Sequence, residues 1–524
     1  MISPVTKPIT KPNKTIQFVE AICGAGKTQG LIKLVNNSPD MYMIAVSSKH
    51  NGKKLAERIK GAEFIYSGKD DKSGYVDTLV ENARLTVRVI IVMHQGLAVL
   101  YRVAYKLQDR HLIIDELTGN VYESGSIKLS DKHSGLVDQY FEYGDEFTLG
   151  SAGKCVSLEY KYKGEVSCSE GLSGKFNRAV IAASRGFPVV GKVGNNGIVS
   201  AVHYSAVDED YLSRLEAFKS VTLLSATVLK TLNHCILTSL DYKFTPASWS
   251  INKEHKPFEG KVYIIEERKI SRTRLNKSTI YHQSIEEVVR REAANLLNHD
   301  NSVWFANSDW VKDALEQLNI FDANYTVLTP EQKGSNEYLR LDNAACLFSI
   351  NASPIHKYMI HKLGEKLGLA KGELLRSWSV SNYLEPVYQN CLRTSFRVQD
   401  ITSTNIFVIP DMRAYEYLKG KIPDLPKPIV LFPEGFDEEP DKRTDNQGRP
   451  SSCEGAEKEI MTLWLSGKGY EHISNVINNV SHYSIGRMVR KFKDKTGHTK
   501  SFLRAKFKEG GFSAAIPDRS ILFS

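Results

Sequence analysis

TIQFVEAICGAGKTQGLIKLV, residues 15–35, joins a short apolar run that reads as a buried strand to the start of a helix through a glycine-rich turn. Gly24 and Gly26 can take backbone angles that other residues avoid. The loop Gly24-Ala25-Gly26 can therefore turn successive N–H groups inward around a phosphate, and the following helix aims its positive end at the same anion. Lys27 is placed to reach the β- and γ-phosphates, and the hydroxyl of Thr28 to hold Mg²⁺.

Three further segments follow at spacings that suit this loop. HLIIDEL (111–117) is an apolar strand ending in two acids, about ninety residues after Lys27. A strand that delivers carboxylates beside a phosphate loop suits a second Mg²⁺ contact, Asp115, and a base that orients water, Glu116. LLSAT (223–227) closes another apolar strand with small hydroxyl residues. QNCLRTSFR (389–397) sets Gln389, Arg393 and Arg397 at i, i+4 and i+8, which predicts one face of a helix. Arginine stays charged and is forked, so it can stabilise charge developing on a transferred γ-phosphoryl. A solvated basic helix face is the alternative for that segment.

With AICGAGKT, IIDE, SAT and QNCLRTSFR in this order, the chain resembles superfamily 2 helicases of the DEAD and DEAH-like group. Ala21 in place of the usual first glycine matches the A-x-x-G-x-G-K-T form common among them. AVSSKHNGKKLAERI (45–59) and VMHQGLAVL (92–100) resemble their first-lobe segments that hold a nucleic-acid backbone, and VWFANSDWVKDALEQL (303–318) the opening of their second lobe. The resemblance implies an α/β protein of two RecA-like P-loop lobes that uses ATP and Mg²⁺. It also implies single-stranded DNA in the groove between the lobes, with RNA the alternative, and Ser225 and Thr227 as the residues that couple the two sites. The family sets its last two arginines three apart. Here Phe396 takes that place and Arg397 follows, which leaves open whether Arg393 or Arg397 is the finger.

The composition agrees with a large globular chain. At 524 residues with 41% hydrophobic side chains, two to four domains are expected. No run of about eighteen apolar residues occurs, and MISPVTKPITKPNKT carries no apolar signal core, so the expectation is a soluble, cytoplasmic protein that is not secreted. Seven scattered cysteines without a C-x-x-C pair indicate neither a disulfide framework nor a zinc site.

Strand-like and helical runs alternate over 1–245, the first lobe, interrupted at 120–215 by an inserted, partly β subdomain that would steer a strand, bind a partner or merely decorate. Residues 246–432 read as the second lobe, and 433–455, acidic and rich in Pro, Gly and Ser, as a flexible linker. The remaining 456–524 reads as a small all-α domain. Three apolar faces recur there: Ile460, Leu463 and Trp464, then Ile473, Val476 and Ile477, then Ile485, Met488, Val489 and Phe492. The net formal charge is +9, and residues 456–508 hold eleven Lys or Arg against four Asp or Glu.

This segment resembles the helix-turn-helix of recombinases and resolvases, whose third helix enters the major groove. The resemblance implies His482, Tyr483, Ser484 and Arg487 at base edges of duplex DNA, and Arg490, Lys491 and Lys493 at phosphates. A three-helix bundle that binds protein is the alternative. Together the parts imply an ATP-dependent DNA helicase or translocase with its own duplex reader, in replication initiation of a virus, plasmid or mobile element. An RNA helicase, or a DNA-binding regulator with an ATPase switch and no unwinding, are the other readings.

Overall fold

The computed structural model describes residues 14–66, 87–97, 107–116, 121–130, 135–162, 174–249, 254–271, 279–280, 283–297, 301–307, 326–330, 338–398, 403–432, 457–477, 485, 488–489, 492 and 500–515. They form two compact units that divide at 437/438.

The first lobe is built on seven strands: β1 (Thr15–Glu20), β2 (Met41–Val46), β3 (Ala62–Ile65), β4 (Val89–Met93), β5 (Arg110–Asp115) and, much later in the chain, β11 (Ser220–Ser225) and β12 (Lys243–Pro246). Their order is β12-β1-β11-β5-β2-β4-β3, and all neighbours run parallel. Parallel strands are covered on both faces, so their sequences are continuous apolar runs, as in VIIV of β4, where all four residues are buried. Helices α1 (Lys27–Asn37) and α2 (Lys49–Arg58) bury Leu31, Ile32, Val35 and Leu55 on one side of this sheet.

Between β5 and β11 the chain builds the inserted subdomain, a separate antiparallel sheet. Its strands β6 (Tyr122–Lys128), β7 (Phe141–Thr148), β8 (Lys154–Tyr160), β9 (Val189–Val193) and β10 (Val199–Val207) take the order β6-β10-β9-β8-β7. Helix α3 (Gly174–Ser184) packs Phe176, Ala179 and Val180 against it. Helix α4 (Leu232–Ser239) follows β11.

The second lobe has strands β13 (Gly260–Glu266), β14 (Ser302–Ala306), β15 (Thr326–Leu328), β16 (Asn343–Leu347), β17 (Asn405–Asp411) and β18 (Ile429–Val430), with α5 (Ile285–Leu296) after β13. Its order is β15-β14-β16-β17-β13-β18, again parallel throughout. The two parallel sheets and the inserted antiparallel one are the α/β architecture of two RecA-like lobes with a partly β insertion.

Between β16 and β17 lie α6 (Pro354–Lys366), α7 (Glu373–Ser379), a π-helical turn (Val380–Leu384) and α8 (Glu385–Cys391); α9 (Met412–Lys419) follows β17. Helices α6 and α7 leave their own lobe. Ile355, Met359, Ile360, Leu363, Leu374 and Trp378 share a buried cluster with Val156, Phe176 and Val202 of the insertion and Leu232 and Ile236 of α4, whereas Val387 and Cys391 of α8 join the second lobe's own core. Tyr358 stacks on Phe147 at 4.5 Å, His356 Nε2 and Tyr122 Oη are 2.6 Å apart, and Lys366 Nζ donates to the carbonyl of Arg185 at 3.0 Å. Each fully buried apolar side chain of this arm contributes about 1.5–3 kcal/mol, so the attachment is strong.

The described part of the second unit is helical: α10 (Glu457–Leu465), α11 (Tyr470–Val476) and α12 (Lys500–Ala515). Ile460, Met461, Trp464, Ile473, Ile477, Ile485, Val489, Phe492 and Leu503 close its core. Val476, placed on the apolar face by spacing, is 49% exposed, and Met461 takes a buried position instead. Arg504, in the basic run, donates to the carbonyl of Trp464 at 3.0 Å and ties α12 to α10.

Candidate functional site

Because the strands of the first sheet are parallel, their carboxyl ends converge at one edge, and ligands of open α/β sheets sit there. β1 ends in the P-loop, β5 in Asp115 and Glu116, β11 in Ser225, and β2 in Ser47. The pairing is tight: Ala21 N–H donates to Ser225 O at 3.2 Å and Glu116 N–H to Leu224 O at 2.9 Å. Gly24 and Gly26 have φ of 84° and 92°, the left-handed region the loop requires. The N–H of Gly30 reaches back to the Gly26 carbonyl at 2.9 Å, and α1 opens at Lys27.

These elements surround a cavity of about 320 Å³ lined by Gly24, Gly26, Lys27, Thr28, Asp115, Glu116, Ser225, Gln389, Arg393 and Arg397, among others. Five cations, Lys27, Lys54, Arg58, Arg393 and Arg397, against two carboxylates suit a polyphosphate carried with a divalent ion. Lys27 Nζ donates to the carbonyls of Ala21 and Ile22, the latter at 3.1 Å, and burial pulls its pKa down. Asp115 is pushed up to about 7, first by burial and then by the neighbouring Glu116, with Lys27 opposing. Glu116 sits at φ 58° and accepts from Ser47 Oγ at 2.9 Å, while His94 Nε2 lies 2.8 Å from the Asp115 carbonyl. A strained backbone at an acid facing the phosphate loop is the kind of outlier found at functional sites. The chemistry of these residues fits Mg²⁺ and a nucleoside triphosphate: Thr28 and Asp115 would supply oxygen donors to the ion, and Lys27 with the loop amides would contact the phosphates.

The arginine segment differs from the sequence expectation. Gln389, Arg393 and Arg397 do not share one helix: α8 stops at Cys391, and Ser395–Arg397 is a separate 3₁₀ turn. The break has one local cause and one distant one. Thr394 Oγ1 donates to the Cys391 carbonyl at 2.8 Å, Ser395 N–H to Leu341 O at 2.7 Å, and Ser395 Oγ to the Asp342 carboxylate, which pulls the chain off the helix axis. All three side chains nevertheless line the cavity beside the P-loop. Arg393 is buried, donates through Nε to Asn390 Oδ1 at 3.2 Å, and is lowered in pKa by that burial.

A second, larger cavity of about 1060 Å³ lies beside the first. Ser47, Ser48, His94 and Gln95 of lobe 1, Glu123, Arg178 and Arg214 of the insertion and its flank, and Ser381, Glu385 and Asn390 of lobe 2 line it. Ser225, Gln389 and Arg393 line both cavities and form their common wall. Thr227 is buried between the lobes. Its hydroxyl donates to Glu385 Oε2 at 2.7 Å, and Lys421 Nζ donates to Thr227 Oγ1.

Sequence reasoning did not find Glu385, nor Asn51, Lys54 and Arg58 of α2, which line the cavity beside the P-loop. The last three sit at i, i+3 and i+7, a helical spacing that was available as a signal. His482, Tyr483, Ser484, Arg487, Arg490, Lys491 and Lys493 lie outside the described residues. No described helix is long and apolar enough to cross a membrane.

No family model matches the chain, and no curated protein matches it. Among solved structures it is similar to Xpd4 of S. tokodaii, 12% identical, covering 78% of this chain and 95% of that one, with a TM-score of 0.43. It is also similar to a DEAD box protein of the hyperthermophile Methanococcus jannaschii, 13% identical, covering 78% and 85%, with a TM-score of 0.25. A Dbp5 variant of S. cerevisiae bound to RNA and ADP BeF3 is 9% identical, covering 80% and 86%, with a TM-score of 0.29.

Proposed function

We propose that the chain is an ATP-dependent DNA helicase or translocase. The observation that carries this reading is that one cavity gathers Lys27, Thr28, Asp115 and Glu116 from the first lobe with Arg393 and Arg397 from the second. Hydrolysis then needs both lobes at once, which is how a change at the γ-phosphate becomes relative lobe movement. In this reading Lys27 holds the phosphates and Glu116 accepts a proton from water. The arginines take up charge developing on the transferred γ-phosphoryl, and Thr28 and Asp115 would hold Mg²⁺, which would supply charge neutralisation at the phosphates. A single strand occupies the larger cavity, and Ser225 and Thr227 pass its presence to the nucleotide.

Residues 456–524 serve in this proposal as a duplex reader of the helix-turn-helix kind, with a role in replication initiation of a virus, plasmid or mobile element. The apolar core that α10, α11, Ile485, Val489, Phe492 and Leu503 close, and the basic surplus of the segment, support it. ATP hydrolysis with Mg²⁺ in the presence of single-stranded DNA, duplex DNA or RNA, followed by strand displacement on tailed duplexes, tests the reading. Stimulation by DNA and displacement of a DNA strand are expected. Displacement of RNA duplexes alone would make it an RNA helicase, and DNA-stimulated hydrolysis with neither displacement of a duplex nor movement along DNA would leave the regulator.

A further inference from the structure

We propose that Glu385, a residue no motif includes, is the positioning residue through which a strand in the larger cavity sets Gln389 and Arg393 against the nucleotide. The inference rests on the reading of the two cavities given above. Glu385 is 6% exposed and opens α8, the helix that carries Gln389. Its carboxylate holds three donors from three elements. Thr227 Oγ1, from the first lobe, donates to Oε2 at 2.7 Å; Tyr417 Oη, from α9, donates to the same oxygen at 2.7 Å; Gln389 Nε2 donates to Oε1 at 2.9 Å.

The first-lobe contact is made by a group that no isosteric apolar side chain can replace. A hydroxyl donates and accepts at once, and Thr227 uses both: it donates to Glu385 and accepts from Lys421 Nζ, which lies 5.0 Å from the ring centre of Tyr388 and 5.4 Å from that of Tyr417. A lobe 1 hydroxyl thus stands between an anion and a cation of lobe 2. Buried networks of this kind are held only when every member is satisfied, so moving one member moves the rest.

The position of the network decides its role. Thr227, Glu385 and Gln389 all line the larger cavity, where a strand would touch them, while Gln389, Ser225 and Arg393 also line the nucleotide cavity. Glu385 fixes Gln389 by a direct hydrogen bond, and Arg393 follows just past the end of α8, held to Asn390 of that helix by its backbone N–H at 3.1 Å and its Nε at 3.2 Å. Lobe closure seats Thr227 on Glu385, which draws Gln389 and the arginine segment into register. The preceding π-helical turn, a geometry that recurs at functional sites, lets α8 shift while α7 stays fixed in the first lobe's cluster.

The test is steady-state ATP hydrolysis by the full-length chain with and without a single-stranded oligonucleotide. Glu385→Gln keeps shape but presents an NH₂ to a site built only of donors. It should lower the strand-stimulated kcat at least tenfold, with KM for ATP within about twofold of wild type. Thr227→Val should give the same loss and Thr227→Ser should restore stimulation, while the double variant Thr227→Val with Glu385→Gln should lose no more than either single one. Wild-type stimulation in Glu385→Gln, multiplicative losses in the double variant, or an equal fall of basal and stimulated turnover would each overturn the proposal. A wild-type chain that no strand stimulates would instead remove the functional reading on which it stands.

Discussion

The side chain of Arg397 fills the space that a β-carbon on Gly24 would need: such an atom would lie 2.8 Å from Arg397 Cγ and 3.0 Å from its Nε. A second-lobe arginine is therefore seated directly on the phosphate loop of the first. Gly24→Ala should both strain a backbone held at φ 84° and displace Arg397. We expect kcat to fall by about two orders of magnitude, as for other losses of preorganised charge, and Arg397→Ala to give a loss that does not add to it. Steady-state ATP hydrolysis by the two single variants and the double variant checks this. Full additivity would separate the two residues.

Lys27 and Glu116 divide binding from turnover. Lys27→Ala should reduce hydrolysis by at least about a hundredfold and weaken ATP binding, because Arg393 and Arg397 approach the cavity from the other lobe and cannot take its place in the loop. Glu116→Gln should leave ATP binding close to wild type while removing turnover, since the amide cannot accept the proton of water. Nucleotide binding by fluorescence and hydrolysis by phosphate release, measured on both variants, decide it; wild-type turnover in either would remove that assignment.

His255 makes the first unit sensitive to acid. It is buried, its Nε2 lies 2.7 Å from Tyr388 Oη, and it stacks on Phe396. Burial first, then the charges of Lys421 and Lys27, depress its pKa from 6.5 to about 4. The folded state holds fewer protons on this residue than the unfolded state, so its contribution is present above pH 6.5 and is lost as pH falls toward 4. The full loss is on the order of 3 kcal/mol. His255→Gln, which has no titrating group, should flatten the pH dependence of the unfolding midpoint over that window, whatever its cost at neutral pH.

Removing residues 456–524 should leave basal hydrolysis nearly intact, because the residues of the nucleotide cavity all lie at or before Arg397. It should abolish sequence-selective duplex binding. In the full chain that binding should fall steeply between low and moderate salt, and Arg487→Ala should relax sequence preference more than it lowers affinity. Titration of labelled duplexes of several sequences at two salt concentrations measures both. Equal selectivity with and without the segment would point to a protein-binding bundle.

The two parallel sheets were legible because strands covered on both faces leave unbroken apolar runs, and the P-loop, IIDE and SAT segments each close one of them. The insertion was legible as a change to alternating residues and turns. Other features were not. The apolar spacing of Ile355, Met359, Ile360 and Leu363 shows that α6 has a buried face but not which core receives it. The helix through Gln389, Arg393 and Arg397 looks continuous by period alone. It breaks because Ser395 finds Asp342 and Leu341, partners more than fifty residues away in sequence. Glu385 stands outside every motif, and its importance comes wholly from three donors that only the folded chain assembles.

The arm formed by α6 and α7 makes synthesis of this protein a matter of timing. When β12 has been translated, every described strand of the first lobe and of its insertion has been made, yet Pro354, where the arm begins, is still some hundred residues from being translated. At about 5–20 residues per second, that gap lasts roughly 5–20 s. Until then Phe147, Val202 and Leu232 have no Tyr358, Ile360 or Trp378 to cover them, and a nascent chain carries an open greasy trough. The first lobe is complete in sequence long before it is complete in substance, and chaperone occupancy of the growing polypeptide should peak in that interval.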